Sequence, residues 1–169
     1  MDGAAELVHA TAIALRIGAE WRAALIRGPS GAGKSDLALR CIASARGPLA
    51  PGEVVLIADD QVQIVRRRDR LEASCPPAIR GKLEVRGIGM IDMTTVEAAE
   101  VALIVDLVAR GGVPRLPDPP PRNAILGITL PVLALHAFDI SAALKLLIAL
   151  HDHGGLGGVP TARLTGDPA

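Results

Sequence analysis

The chain alternates between short apolar segments and breaks that are rich in glycine or proline. The first two segments are residues 9–17 (HATAIALRI) and 21–27 (WRAALIR), which the turn GAE separates. Short apolar segments bounded by turn residues are typical of β-strands. The pattern therefore predicts a pair of strands, the second of which leads directly into a glycine-rich loop.

A helix is predicted to begin at Lys34, because apolar residues recur at helical spacing after it. These residues are Leu37, Ala38, Cys41 and Ile42. The sequence GPLAPGE at residues 47–53 interrupts the pattern, as glycine and proline usually do. Residues 54–60 (VVLIADD) are then predicted to form a buried strand that ends in two aspartates.

The same alternation continues in the second half of the chain. Residues 61–74 (QVQIVRRRDRLEAS) predict a hairpin with its tip near residues 67–70, and residues 101–108 (VALIVDLV) predict another buried strand. The proline-rich residues 111–123 predict a loop, because proline lacks a backbone donor. Residues 125–135 (ILGITLPVLAL) are predicted to supply further strand structure.

The strongest helical pattern lies near the end of the chain. Residues 139–150 (DISAALKLLIAL) are predicted to form a helix, with Asp139 as its N-cap. Residues 154–169 are rich in glycine and proline and are predicted to form a flexible tail. A length of 169 residues is that of one domain, which is predicted over residues 1–153.

Composition and charge exclude several classes of partner. Eighteen basic residues balance eighteen acidic ones, so no net positive field would attract nucleic acid or an anionic membrane. One tryptophan and one phenylalanine are too few for recognition of single-stranded nucleic acid by stacking. The two cysteines lack metal-site spacing and predict free thiols in a reducing compartment. With Asp2 and Glu6 where a signal peptide needs positive charge, a cytoplasmic location is predicted.

The stretch LIRGPSGAGKSDLAL at residues 25–39 contains the pattern G-x-x-x-x-G-K-S. In such loops the backbone N–H groups and the following helix N-terminus bind phosphate, the lysine reaches the β- and γ-phosphates, and the serine hydroxyl binds Mg²⁺. The alternative is a structural turn without a ligand. The predicted nucleotide-binding residues are Gly28, Pro29, Ser30, Gly31, Ala32, Gly33, Lys34, Ser35 and Asp36.

Acidic residues follow the loop at a spacing that is typical of nucleotide-binding folds. Asp59 and Asp60 end the predicted strand, where one would help to hold the metal and the other would take a proton from an attacking hydroxyl. The alternative is that one of them is only a solvent-facing strand cap. For His9, which lies on the upstream strand, the alternative is a packed core residue. His136, His151 and His153 lack acidic or thiol partners, and no metal site is predicted there.

Two clusters of charged residues leave two interpretations open. In residues 83–92 (LEVRGIGMID), Glu84 and Arg86 would hold metal and phosphate, or they would form a structural ion pair. The arginine-rich residues 66–70 would bind phosphate or would form a solvated hairpin tip.

These segments, in their order and spacing, resemble the catalytic domain of HPr kinase/phosphorylase. The resemblance runs from about His9 to Leu150 and includes GPSGAGKSD, LIADDQVQI, PPAIRGKLEVRGIGMIDM and VPRLP. Its most specific element is residues 83–92, which are similar to the family signature LEIRGLGIID. The chain resembles the short alphaproteobacterial form of the family, which lacks the N-terminal domain.

The resemblance implies an α/β fold related to phosphoenolpyruvate carboxykinase, with a mixed β-sheet that holds the P-loop and with flanking helices. It implies phosphorylation of a serine on the phosphocarrier HPr, or on its nitrogen-system relative, with ATP and Mg²⁺. It also implies a reverse reaction, in which phosphate attacks the phosphoserine and releases pyrophosphate. The chain would form a homo-oligomer.

The resemblance also assigns roles to individual residues. Asp59 would be the general base, and His9 would support Asp59 and the transferred phosphate. Arg115 would lie near that phosphate, and Arg86 would bind phosphate. The metal-facing residues would be Ser35, Asp60 and Glu84. One departure from the family is the stretch LALHAF at residues 133–138, which lacks the usual basic pair and predicts weak phosphorolysis.

Three functions are compatible with these features. The first is a serine kinase that acts on HPr or its relative. The second is a phosphotransferase with a different acceptor, and the third is a nucleotide-sensing module with little turnover. The paired aspartates and His9 favour the two enzymes.

Overall fold

The computed structural model describes residues 3–49 and 51–155 and contains eleven strands and two α-helices there. The helices are α1 (Lys34–Ala43) and α2 (Ala142–Gly155). The strands are β1 (Ala5–Val8), β2 (Ala10–Ile17), β3 (Glu20–Arg27), β4 (Val54–Ala58), β5 (Val62–Arg67), β6 (Arg70–Ser74), β7 (Lys82–Val85), β8 (Gly89–Asp92), β9 (Ala98–Leu107), β10 (Arg122–Ile125) and β11 (Ile128–Leu135).

Nine of these strands form one mixed sheet. Its main order is β1-β5-β6-β9-β3-β2-β4, and the β10–β11 hairpin joins it through β9. Strand β9 is parallel to both β3 and β11, whereas the other pairings of this sheet are antiparallel. Strands β7 and β8 form a separate antiparallel hairpin. The predicted mixed sheet is therefore confirmed.

Alternation of side chains along the strands places two cores on opposite faces of the sheet. On β2, Ile13 and Leu15 face the helices, whereas Ala12 and Ala14 face the other side. Both helices pack on the first face through a set of fully or nearly fully buried residues. This set includes Leu37, Ala38 and Cys41 of α1 and Leu146, Leu147 and Leu150 of α2. The opposite face is covered by other strands of the sheet, which contribute Ile64, Leu71 and Ile125.

Three local predictions differ from the structure. Helix α2 begins at Ala142, so Asp139 is not its N-cap, and the Asp139 carboxylate instead pairs with Arg110 at 3.1 Å. His9 lies in a bend between β1 and β2 rather than on a strand. Helix α2 continues through Gly155, beyond the predicted start of the flexible tail, and residues 156–169 lie outside the described part of the chain.

Both cysteines are free, as the sequence predicts, and both are buried. Burial raises the pKa of the Cys41 thiol to about 12, and burial also raises the pKa of Cys75. Both thiols are therefore protonated at neutral pH. Nucleophilic chemistry would require the deprotonated thiolate instead. No helix in the described residues, α1 and α2 included, has the length and apolar character needed to cross a membrane.

Candidate functional site

A cavity of about 300 Å³ lies where β3 and β4 end and α1 begins. It brings together most of the residues that the sequence predicts to be functional. These are His9, Ser30, Gly31, Gly33, Lys34, Ser35, Asp36, Asp59, Asp60, Glu84 and Arg86. Segments that are far apart in the sequence thus meet at one end of the sheet.

The glycine-rich loop connects β3 to α1 and forms the floor of the cavity. Gly33 is the residue before the helix and has a φ of 92°, in the left-handed region that favours glycine. A Cβ atom at Gly33 would also lie only 2.9 Å from the Cζ atom of Phe138. No side chain caps α1, so the N–H groups of its first turn are available to an anion in the cavity.

Lys34 is only 8% exposed, and its ammonium group is held by the loop itself. Its Nζ atom donates to the Gly28 carbonyl at 2.9 Å and to the Pro29 carbonyl at 3.1 Å. The same atom lies 3.3 Å from Nε2 of His9. These contacts fix the ammonium group at the end of the cavity beside the glycine-rich loop, where removal from water strengthens its electrostatic effect. Gly28 and Pro29 therefore contribute carbonyl groups that position Lys34.

Asp59 is buried and is surrounded by hydrogen-bond donors. Its Oδ1 accepts from the Thr11 hydroxyl at 2.6 Å and from the Ser35 hydroxyl at 2.8 Å. Its Oδ2 accepts from the backbone N–H of Glu84 at 3.3 Å. These bonds leave the carboxylate little freedom and fix it beside the serine that is predicted to bind Mg²⁺.

Asp60 has very different surroundings, although it is the next residue. Its φ of 69° places it in the left-handed region, which aspartate tolerates better than most residues. Its side chain is 71% exposed, and its Oδ1 lies 3.1 Å from Nδ1 of His9. The turn at Asp60 thus presents the second carboxylate to His9, and the support of Asp59 by His9 that the resemblance implied stays a prediction.

The β7–β8 hairpin brings Glu84 and Arg86 to another side of the cavity. No ion pair joins these two residues, both of which lie in the described part of the chain, so the predicted structural pair is not formed. Asp92, at the end of the hairpin, instead pairs with Lys82. Both Glu84 and Arg86 are exposed and can reach a ligand in the cavity.

Four predicted residues do not line this cavity, namely Gly28, Pro29, Ala32 and Arg115. Arg115 is exposed in the proline-rich loop after β9 and does not belong to a paired strand. Ala32 belongs to the glycine-rich loop, and its N–H donates to the Pro29 carbonyl at 3.1 Å.

Three residues line the cavity without having been predicted, namely Leu39, Val85 and Phe138. Leu39 and Val85 have no distinguishing signal, because they look like other apolar positions of a helix and a strand. Phe138 does have a distinguishing signal in the sequence. It is the single phenylalanine, and it lies in the stretch that departs from the family pattern.

The strand, the glycine-rich loop and the helix that begins at Lys34 have the arrangement of P-loop domains. Comparison with protein families matches residues 17–136 to the HPr Serine kinase C-terminal domain. The chain therefore belongs to this family, and the predicted resemblance is confirmed.

Individual relatives agree with this assignment. HPr kinase/phosphorylase of Ralstonia nicotianae is 40% identical over 116 residues, which are 63% of this chain and 33% of the relative. The protein of the same name from Cupriavidus necator is 39% identical over 116 residues, with the same coverage. This chain thus spans about a third of the length of these curated relatives.

A solved structure also matches most of the fold. It is described as the Hpr(Ser) kinase/phosphatase from Coxiella burnetii and has a TM-score of 0.68 and 26% sequence identity. The match covers 88% of this chain and 96% of the other. The predicted fold class is confirmed by this similarity.

Proposed function

We propose that this chain transfers a phosphoryl group from ATP to a serine hydroxyl of an HPr-type phosphocarrier, with the help of Mg²⁺. The observation that carries the proposal is the cavity that joins Lys34 and Ser35 of the loop to two aspartates with different surroundings. The names of the relatives, HPr kinase/phosphorylase, support the choice of acceptor. A homo-oligomer and a cytoplasmic location stay predictions.

The residues of the cavity have the chemistry that Mg²⁺ requires. Mg²⁺ is usually bound through one or two carboxylates together with substrate phosphates and water, rather than by a cage of protein ligands. Accordingly, the described residues contain no cluster of three or more histidine, cysteine or acidic side chains that would form a complete site. Ser35 and Asp59 supply oxygen atoms beside the glycine-rich loop, and Glu84 lines the same cavity. Together these residues would hold the ion. The ion would neutralise negative charge on the phosphates.

The surroundings of the two aspartates support an assignment opposite to the one that the resemblance implied. Asp59 accepts hydrogen bonds from three residues, Thr11, Ser35 and Glu84, and would help to hold the metal. The exposed Asp60 carboxylate can meet an incoming serine hydroxyl and would take its proton.

His9 has a positioning role in this proposal. Its two ring nitrogens lie 3.1 Å from Asp60 and 3.3 Å from the Lys34 ammonium. The ring would thus hold the general base at a fixed distance from the phosphate-binding lysine. Arg86 would bind phosphate from the hairpin side of the cavity, and a role for Arg115 stays a prediction.

Incubation of the chain with ATP, Mg²⁺ and purified HPr tests the proposal, with the intact mass of the carrier as the readout. The nitrogen-system relative serves as an alternative acceptor in a parallel sample. We expect the mass of one carrier to increase by one phosphoryl group. ADP release with no phosphate on either carrier would indicate a different acceptor, and ATP binding with no turnover would indicate a sensor.

We expect phosphorolysis to be slow. The reverse reaction must hold phosphate and pyrophosphate together, which requires several cations. In the stretch LALHAF, the residue that reaches the cavity is Phe138, which carries no charge. One missing charge-assisted hydrogen bond of about 1.5 kcal/mol corresponds to phosphorolysis about tenfold slower than in an enzyme that carries the charge.

The measurement starts from phosphorylated carrier, Mg²⁺ and millimolar phosphate and follows pyrophosphate release. The forward reaction with the same enzyme sample is the control. Equal forward and reverse rates would show that the missing cations are not needed or are supplied by another subunit.

A further inference from the structure

We infer that Phe138 forms a stacking surface for the base of the nucleotide, and that the chain therefore binds a nucleoside triphosphate more tightly than a bare polyphosphate. This inference rests on the proposed function, because it concerns the donor side of the same cavity. It adds a specificity-determining residue that the glycine-rich motif does not contain.

The ring of Phe138 lies directly beside the phosphate-binding loop. The position of a Cβ atom on Gly33 would be 2.9 Å from Cζ and 3.1 Å from Cε1 of the ring. Gly33 also precedes the helix N-terminus whose N–H groups face the cavity. A group attached to phosphates at this terminus therefore leaves the loop next to the ring. Leu39, which follows on α1, lines the same cavity and adds apolar surface.

The backbone on both sides of Phe138 is held in place. The Arg40 guanidinium of α1 donates to the carbonyl of Ala137 and, at 3.4 Å, to that of Asp139. The Asp139 carboxylate in turn pairs with Arg110 at 3.1 Å. These contacts attach the segment to α1 and to the loop after β9, so the backbone that carries the ring is fixed before a ligand arrives.

In spite of this fixed backbone, Phe138 is 59% exposed. Its neighbour Ala137 is 2% exposed and belongs to the core, so burial of Ala137, and not of the Phe138 ring, anchors the segment. The ring meets His136 edge-on, with centroids 5.9 Å apart and an interplanar angle of 72°. An aromatic ring that is preorganised but exposed in a cavity can offer its surface to a flat ligand, and nucleobases stack on such rings.

Two ligands that differ in the nucleoside test this inference. Equilibrium binding of ATP and of tripolyphosphate, each with Mg²⁺, would be measured for the wild-type chain and for Phe138→Ala. We expect the substitution to weaken ATP binding by about fivefold or more, the scale of one base–aromatic stack. Binding of tripolyphosphate should change by less than about twofold, because the phosphate loop is unaltered.

Two further variants complete the design. Phe138→Trp should retain ATP affinity, and its additional fluorescence should respond to ATP but not to tripolyphosphate. Ile140→Ala is the matched control, because Ile140 is an apolar residue that is 100% exposed and does not line the cavity. It should leave the binding of both ligands unchanged.

Other results would overturn the inference. Unchanged ATP binding by Phe138→Ala would remove the stacking role, and equal losses for both ligands would show that the ring only supports the loop. In either case, wild-type ATP binding that is lost in Lys34→Ala would leave the proposed function standing. A wild-type chain that binds neither ligand would instead remove the proposed function together with this inference.

Discussion

Replacement of Lys34 by alanine should reduce phosphoryl transfer from ATP by about a thousandfold, the upper range for loss of one preorganised electrostatic group. The Lys34 ammonium lies at the end of the cavity that we propose to bind phosphate, where Gly28 and Pro29 hold it through their carbonyl groups. No other residue could supply its charge at this position within the loop. The readouts are ADP release and carrier phosphorylation at saturating Mg²⁺.

The charge-matched control for this prediction is Lys145→Ala. Lys145 is exposed on α2 and does not line the cavity, so its removal changes the net charge equally without altering the site. Circular dichroism and thermal unfolding show whether each variant is folded. If Lys34→Ala does not fold, Lys34→Met keeps the aliphatic stem and removes only the charge. Full activity in a folded Lys34 variant would show that the glycine-rich loop does not act in phosphoryl transfer through Lys34.

Local patterns were sufficient to predict much of the fold. The start of α1 at Lys34 and the strands on either side of the loop follow from apolar segments and from the motif. The N-cap of α2 was predicted wrongly, because the segment DIS contains two residues that are good N-caps, and only the packing of the helix selects between them. The pairing of β7 with β8 was not predicted, since glycine-rich segments give a weak strand signal.

The candidate site was predictable where its chemistry is contained in one continuous motif. The loop residues needed only their spacing, whereas the roles of Asp59 and Asp60 depend on one backbone angle between two identical side chains. A φ of 69° at Asp60 turns its carboxylate towards His9 and leaves Asp59 with Ser35. Phe138 reaches the cavity through tertiary contacts of its segment, which no periodicity in the sequence reports.

The two aspartates should respond differently to the same substitution. Asp60→Asn is expected to reduce phosphoryl transfer by about a hundredfold or more, the usual scale for loss of a positioned general base. ATP binding should remain nearly intact in this variant, because the exposed Asp60 carboxylate contacts His9 rather than the loop serine. Single-turnover rates at saturating ATP and Mg²⁺ measure the effect on transfer.

Asp59→Asn is the matched variant, since it also replaces one carboxylate by an amide of the same size. It should weaken Mg²⁺-dependent ATP binding, because the Ser35 hydroxyl loses the carboxylate that orients it at 2.8 Å. Part of the lost transfer rate should therefore return at high Mg²⁺, whereas the rate of Asp60→Asn should not. Titration of ATP binding and of single-turnover rate against Mg²⁺ separates the two effects. The opposite pattern, with a transfer defect confined to Asp59→Asn, would restore Asp59 as the general base and place Asp60 on the metal.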